Sequence, residues 1–373
     1  MRLDRGTRPK REVSSITAMS SGEQAGTVSP EEVLPAGDTD GSEQTDGPAA
    51  KPRRRWLRIT LIVLLVFSLV GVGAVVASGF YLKSVESDIE RVDAFDNVPE
   101  ETRPEVVAKG ALNILILGSD SRDPESTGGS RADTIILAHV PKDRSSAQLV
   151  SIPRDTWVAV PRSNEGRGGR DAKINAAYAW GGLSLMVQTV EQYTKVRIDH
   201  VMLVDFAGFK DIIDALDGID ITSEKRFTSI HPPFRTFEQG KQRLDGAAAL
   251  DFSRQRKQFA DGDFTRIKHQ QQVIKAILDK AASGGILTNP ARLNSFVRAT
   301  SSAVSVDRSM SLVDMAMELR SLRGNDLTFI TNPTKGTGRV GSESVVFADP
   351  DKAALFYEAV RRDEVDEILR TGK

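Results

Sequence analysis

The sequence predicts an α/β fold: a central mixed sheet flanked by helices, preceded by a disordered tail and one transmembrane helix. Three observations predict it. Short runs rich in Ile, Leu and Val, at 112–117, 134–140 and 148–152, read as buried strands. Segments with helical apolar spacing, among them 206–216 and 264–283, alternate with strand-like runs, as in a sheet covered by helices. One uncharged run, 59–82, is longer than the ~20 apolar residues that cross a bilayer.

Residues 1–50 are rich in Gly, Ser, Thr, Pro, Asp and Glu and show no apolar periodicity, a composition that cannot offset the entropy of folding. The next unit, 51–82, opens with Lys51, Arg53, Arg54, Arg55 and Arg58 and continues into the apolar run. Glu86, Asp88 and Glu90 follow it. Positive flanks stay in the cytoplasm, so a single-pass protein of the cell membrane is expected, its N-terminus cytoplasmic and residues 83–373 outside. Trp56 and Tyr81 stand near the two ends of the run, where interfacial aromatics belong. A cleaved signal peptide fits poorly, because about 50 polar residues come first. Residues 83–110 are charged, carry Pro99 and Pro104, and read as a juxtamembrane spacer with a short helix near 85–92. The globular domain is expected over 111–373.

Inside that domain, 198–204, 219–221, 327–331 and 344–347 read as further strands. Helices are expected at 183–193, 206–216, 247–250, 264–283, 290–301, 311–322 and 349–361. Residues 173–182 are small and end in a Gly pair. No internal repeat is present.

Composition removes several function classes. The chain has 373 residues and a net charge of −1, so bulk charge attracts no nucleic acid, and no helix-turn-helix or basic stripe supplies a local reason. It has no cysteine, hence no disulfide, thiol nucleophile or Cys-ligated metal. His139, His200, His231 and His269 are scattered, with no zinc-type spacing. A metal would therefore be a hard cation on carboxylates, Mg²⁺ or Mn²⁺. Gly336–Gly341 fits GxGxxG, but a strand-like run follows it rather than a helix, so a hairpin loop is expected instead of a dinucleotide site. The Gly-rich 165–171 loop lacks a P-loop ending, and no GxSxG elbow occurs.

Charged residues cluster at the ends of the first three strands: Asp120 and Arg122, Arg131 and Asp133, Arg154 and Asp155. Strand ends beside loops are where α/β sites are built. Asp120 and Asp133 reach one sheet edge if their strands are neighbours, and two carboxylates with phosphate oxygens can hold Mg²⁺. Asp is also common in turns, and spacing alone does not separate the readings. Arg254 and Arg256, two apart, face one side of an extended chain and suit a pyrophosphate; a solvated basic loop is the alternative. Asp263 sits where a helix N-cap belongs, and Arg266 and Gln270 share one face of that helix, near an amide-rich end suited to anions. A capped, salt-bridged surface helix explains that set equally well.

Taken in order, these pieces resemble the LytR–CpsA–Psr family of bacterial envelope proteins. The resemblance runs from about Asn113 to Gln272 and rests on Ile-Leu-Gly-Ser-Asp-Ser-Arg122, Arg131-Ala-Asp-Thr, Ser-Ile-Pro-Arg-Asp155, Lys173-Ile-Asn-Ala-Ala-Tyr178, the 199–206 run, Leu244-Asp-Gly246, Arg254-Gln-Arg256 and the 263–271 run. It implies a phosphotransferase that moves a glycopolymer from a polyprenyl-pyrophosphate carrier to a peptidoglycan hydroxyl, using Mg²⁺ and releasing polyprenyl phosphate. By the same matching, Asp120 and Asp133 would hold the metal. Arg131, Arg154, Arg254, Arg256 and Gln270 would contact the pyrophosphate. Arg122, Asp155, Asp263 and Arg266 would complete or orient the site, with Asp155 and Asp263 the candidates for a base. The helices at 206–216 and 267–278 would help wall a pocket for the lipid. His269, Phe252 and Thr265 depart from the residues common in the family. A polyprenyl-pyrophosphate hydrolase and a non-catalytic membrane regulator or lipid-binding module are the alternative readings.

Overall fold

The computed structural model describes residues 84–119, 132–259 and 261–371. The expected tail (1–50) and membrane span (51–82) lie outside the described residues, and among those described no helix is long and apolar enough to cross a membrane.

The chain runs β1 (Glu90–Val92), β2 (Leu112–Ser119), β3 (Ala132–Val140), β4 (Ala147–Ser151), β5 (Trp157–Arg162), β6 (Gly168–Lys173), α1 (Asn175–Thr194), β7 (His200–Asp205) and α2 (Phe206–Ala215). There follow β8 (Ile219–Ser223), β9 (Phe227–Thr228), β10 (Thr236–Phe237), β11 (Gly240–Leu244), α3 (Gly246–Arg254), α4 (Asp263–Ala281), α5 (Gly284–Leu287) and α6 (Pro290–Ala303). The last elements are β12 (Val304–Asp307), α7 (Leu312–Glu318), β13 (Leu327–Thr331), β14 (Thr334–Val340), β15 (Glu343–Ala348), α8 (Pro350–Arg362) and α9 (Val365–Thr371). Seven strands form the central sheet in the order β1-β12-β7-β2-β3-β4-β13. It is mixed: β2 runs parallel to β7 and antiparallel to β3, and β4 is antiparallel to β3 but parallel to β13.

The period-2 alternation of the strands sorts their side chains onto two faces. Leu115, Leu117, Ile135 and Leu137 point to one face, where α1 and α8 cover them with Met186, Val190, Phe356 and Tyr357 in one core. Ile114, Ile116, Ile136 and Ala138 point to the other, toward Ile212, Ile274, Ile277 and Phe296 from α2, α4 and α6. The second layer is not closed down onto the sheet. A cavity of about 670 Å³ remains between the sheet and these helices. Gly208 sets the spacing of α2 and α6, since a Cβ there would lie 2.4 Å from Ala303 Cα.

Residues 84–110, expected as a juxtamembrane spacer, contribute to the sheet and to its packing. Residues 84–87 are helical, and β1 joins the sheet edge, parallel to β12. Arg103 then donates at 2.8 Å to the buried Glu191 of α1, which also accepts from Ile198 N. These partners lie far along the chain, so no local pattern announces them. The expected loop at 165–171 is part of the β5–β6 hairpin, and the 336–341 stretch lies mostly within β14, whose antiparallel partner is β15.

Candidate active site

One end of the sheet carries the site. There β2 stops at Ser119, paired with Ala132 at the start of β3, and Asp133 follows directly. Neighbouring β4 ends at Ser151, and Pro153, which lacks an N–H, turns the chain out of the ladder. Thr156 closes that turn by donating from N and Oγ1 to Pro153 O at 2.9 and 2.6 Å. Asn175 N donates to Arg154 O, and Val346 N to Asp155 O, so the backbone of this pair is held from both sides. Arg154 reaches back to β3, its Nη1 donating to Asp133 Oδ1. Burial opposes the Arg154 charge, but the Asp133 carboxylate, with Asp155 and Asp263 beyond it, outweighs that and holds the guanidinium above its ordinary pKa.

The other half comes from the chain about a hundred residues on. Arg256 Nη2 donates to Asp155 Oδ2 at 3.0 Å, and its Nε stands 3.1 Å from Asp263 Oδ1. Arg266 donates to Asp263 Oδ2 at 3.1 Å. Asp263 Oδ1, Arg154 Nε and Arg266 Nε are buried and lack an aligned hydrogen bond among the described residues. Two of these three atoms are guanidinium donors, a chemistry that suits phosphate oxygens. Arg266 is buried deeply enough that desolvation pulls its pKa down, partly offset by Asp263. Gln270 donates to Thr134 Oγ1 at 3.0 Å and Gln271 to Ser151 Oγ at 3.2 Å, pinning α4 across the strand ends.

The structure therefore brings together Asp133, Arg154, Asp155, Arg256, Asp263, Arg266 and Gln270. Asp120, Arg122 and Arg131 lie outside the described residues, although the chain leaves the described part at Ser119 and rejoins it at Ala132, beside Asp133. Two local expectations change. Arg254 and Arg256 are not two prongs of an extended segment: Arg254 ends α3, its guanidinium 5.2 Å from the Phe206 ring, and Arg256 follows the turn. Buried Gln255 fixes that turn through hydrogen bonds to Ser229 Oγ and Asp251. Asp263 is not the N-cap of α4 but its first residue, and Gly262 holds the cap position. The carboxylate is turned inward to two guanidiniums, which outweigh a single capping bond.

Lys173, not among the residues expected at the site, also reaches it. It stands 3.7 Å from Asp155 Oδ1 and 3.5 Å from Glu343 Oε2. Its pairing with Trp157 across the β5–β6 hairpin puts it there. The alternating Trp-Val-Ala-Val run at 157–160 was the available signal. His269, one of the departures, belongs to an aromatic cluster: it stacks on Phe252 at 4.0 Å and bonds Phe252 O through Nδ1. Burial pushes its pKa down to about 4, so it is neutral near pH 7 and takes no part in charge chemistry.

Asp133, Arg154, Arg256, Arg266 and Gln270 of this cluster, together with Arg254, form the mouth of the 670 Å³ cavity. One face of α4 shows the gradient: Arg266 and Gln270 at the mouth, then Val273, Ile274 and Ile277 along the apolar wall. Ile114, Ile116, Ile136 and Ala138 of the sheet line the opposite side, and Phe206 and Phe209 the α2 side. The expected apolar pocket walled by the 206–216 and 267–278 helices is thus present. Such a cavity accepts a long hydrocarbon and presents its polar end to guanidiniums. Among the described residues no group of three or more His, Cys, Asp or Glu side chains could hold a metal ion.

The LytR_cpsA_psr family matches residues 79–361. The chain is 37% identical over 207 residues to a polyisoprenyl-teichoic acid–peptidoglycan teichoic acid transferase TagU of Bacillus cereus, covering 56% of this chain and 63% of that one, just under two thirds of its length. A TagU of Enterococcus faecalis with the same description is 32% identical over 266 residues, 71% of this chain and 82% of its own. Among solved structures, TagV of Bacillus subtilis superposes with a TM-score of 0.58 at 27% identity, over 69% of this chain and 98% of that one. The match over most of the chain, together with an arginine-rimmed apolar cavity built on a shared fold, makes this protein a member of the LytR_cpsA_psr family.

Proposed function

We propose that this protein is a membrane-anchored phosphotransferase. It takes a glycopolymer from a polyprenyl-pyrophosphate carrier, joins it to a hydroxyl of peptidoglycan and releases polyprenyl phosphate. The observation that carries the reading is the junction of two chemistries at one point: an apolar cavity whose mouth is ringed by Arg154, Arg254, Arg256 and Arg266. The relatives' names as teichoic acid transferases support it. The prenyl chain occupies the cavity and the pyrophosphate lies against the guanidiniums. The acceptor oxygen attacks the phosphorus that bears the polymer. The bond from that phosphorus to the bridging oxygen breaks, polyprenyl phosphate leaves with the electron pair, and the acceptor proton passes to a base. Guanidiniums aimed at the developing phosphate charge lower the barrier without reorganising.

Of the two candidate bases, Asp263 is 3% exposed between Arg256 and Arg266 and does not line the cavity. Asp155 is the better placed, since it borders the space on the far side of Arg154 and Arg256. Asp133, an oxygen donor of the kind that suits a hard divalent cation such as Mg²⁺ or Mn²⁺, opens into the cavity mouth, and Asp120 belongs to the stretch that adjoins it in sequence. Asp120 and Asp133 would hold the ion, which would neutralise charge on the pyrophosphate when bound. Arg131 and Arg122 would complete the anion contacts. The chain would span the membrane once through 59–82, with its N-terminus cytoplasmic. The absence of native cysteine makes single introduced cysteines a direct test of that orientation.

The deciding experiment incubates the full-length protein with a defined lipid-linked oligosaccharide, peptidoglycan and Mg²⁺. Covalent attachment of sugar to peptidoglycan is the expected product, abolished by Arg256→Ala or Asp120→Ala with circular dichroism unchanged. Release of free oligosaccharide without attachment would instead identify a hydrolase.

A further inference from the structure

A second cavity, of about 540 Å³, adjoins the arginine cluster. Its lining shares only Arg154 and Arg256 with that of the apolar cavity. The wall chemistry changes completely across them: here Trp157, Trp180, Arg170, Asp171, Lys173 and Glu343 face the space. A third cavity, of about 460 Å³, borders the same Trp180 and is lined by Asp93, Asn97, Asn164, Glu165, Arg167 and Gln188. Trp180 is thus common to two polar hollows, the nearer of which ends at the two arginines. Half-buried indoles beside carboxylate, amide and guanidinium groups are a surface for sugar rings. Their C–H faces lie on the indole, and their hydroxyls find donors and acceptors around it.

The fold holds this feature in place. Trp180 precedes a kink in α1, where Gly181 and Gly182 leave helical geometry, Gly182 with φ +63° and ψ −152°. The Arg170 guanidinium lies over the Trp180 ring at 5.0 Å. Asn97 is tied to both walls, accepting from Asn164 Nδ2 at 3.2 Å on its side chain and from Gln188 Nε2 at 2.9 Å on its carbonyl.

We infer that the two polar cavities are one groove for the glycan strand of the acceptor. The reacting sugar sits in the first cavity with its hydroxyl toward Arg154 and Arg256, and the following sugars pass over Trp180 into the second. This rests on the transferase reading, and the geometry of displacement at phosphorus selects acceptor over donor. The leaving polyprenyl phosphate is held on the apolar side, so the incoming oxygen must approach roughly in line from the opposite side. Asp155, which borders this groove, then lies on the side from which the hydroxyl arrives.

The chain has three tryptophans, Trp56, Trp157 and Trp180, so in full-length protein carrying Trp56→Phe every indole belongs to the groove. Soluble peptidoglycan glycan strands, titrated into this protein in detergent, are expected to give a saturable fluorescence change. Adding Trp180→Ala should weaken that binding at least 10-fold and raise the KM for the acceptor by a similar factor. The KM for the lipid-linked donor should stay unchanged. Trp180→Phe, which preserves a ring and the local packing, should recover much of the loss and covers the case in which the alanine variant does not fold. Glycan binding unaffected by both substitutions, or a rise confined to the donor KM, would overturn the assignment. Trp180-dependent glycan binding without any polymer transfer would uphold the groove and remove the transferase reading instead.

Discussion

Asp263 separates what holds the site together from what acts in it. Its side chain is 3% exposed and lies between Arg256, one third exposed, and Arg266, 7% exposed. Asp263→Asn keeps the shape but removes the charge that lets Arg266 stay buried. Breaking a buried pair from one side costs about 3–5 kcal/mol, because a charge is left uncompensated away from water. Arg256→Ala breaks the partly exposed half of the same triad and the pair with Asp155, but Asp263 keeps Arg266 and Asp155 keeps Lys173, so it should cost only ~1 kcal/mol. In a domain of this size such costs correspond to a fall in Tm on the order of 10 °C for Asp263→Asn and a few degrees for Arg256→Ala. Thermal melting by circular dichroism on full-length protein measures both, with polymer transfer followed in parallel. Arg256→Ala should be nearly as stable as the parent yet inactive. The reasoning is refuted if Asp263→Asn melts within about 2 °C of the parent, or if Arg256→Ala falls as far.

Three further outcomes follow from the same structure. Ala138→Phe puts a ring against the sheet wall of the apolar cavity; it should raise the KM for long-chain prenyl donors at least 10-fold while sparing short-chain analogues, and an equal effect on both would remove the prenyl chain from that cavity. Gly182→Ala forces a side chain into left-handed backbone, and should lose about 1–3 kcal/mol in denaturant unfolding together with acceptor binding at Trp180; an unperturbed melt would show that the kink carries no strain for alanine. His269 has its folded pKa lowered from 6.5 to about 4 by burial, so its contribution to stability is fully present above pH 6.5 and is lost as the pH falls toward 4. That span is worth ~3 kcal/mol, and melting curves across it should show His269→Phe losing less stability than the parent; parallel curves would mean that the imidazole is not buried as a neutral group.

The sequence made the strands and helices that build the central layers legible, because alternating Ile and Leu in β2 and β3 and the helical spacing in α2 and α4 are local signals. It did not disclose β1 or β12, whose three or four residues become strands only by pairing across a hundred positions or more. The β5–β6 hairpin was hidden by its Gly-rich turn, and Lys173, Trp157 and the groove were hidden with it. Within the candidate site, the residue types were visible as charged strand ends and a polar helix start. Their partners were not. Asp263 looks like a helix cap in sequence, and Arg254 and Arg256 like a pair, until Arg266 and Phe206 are seen to claim them.

The distribution of carboxylates around the arginines gives the site a direction. Asp133 belongs to the apolar cavity and Asp155 to the polar groove, and Arg154 and Arg256 border both. Arg154 is paired with Asp133, and Arg256 with Asp155, so each shared cation leans to a different side. A pyrophosphate lying between them would have Asp133 toward its lipid end and Asp155 toward its sugar end. A hydrolase needs only a path for water to the same phosphorus. A transferase needs room for a second large substrate, and the groove beyond Asp155, walled by two tryptophans and mixed charges, supplies it. The transferase and hydrolase readings differ in that requirement, and it is the polar side of the molecule, not the apolar cavity, that favours transfer.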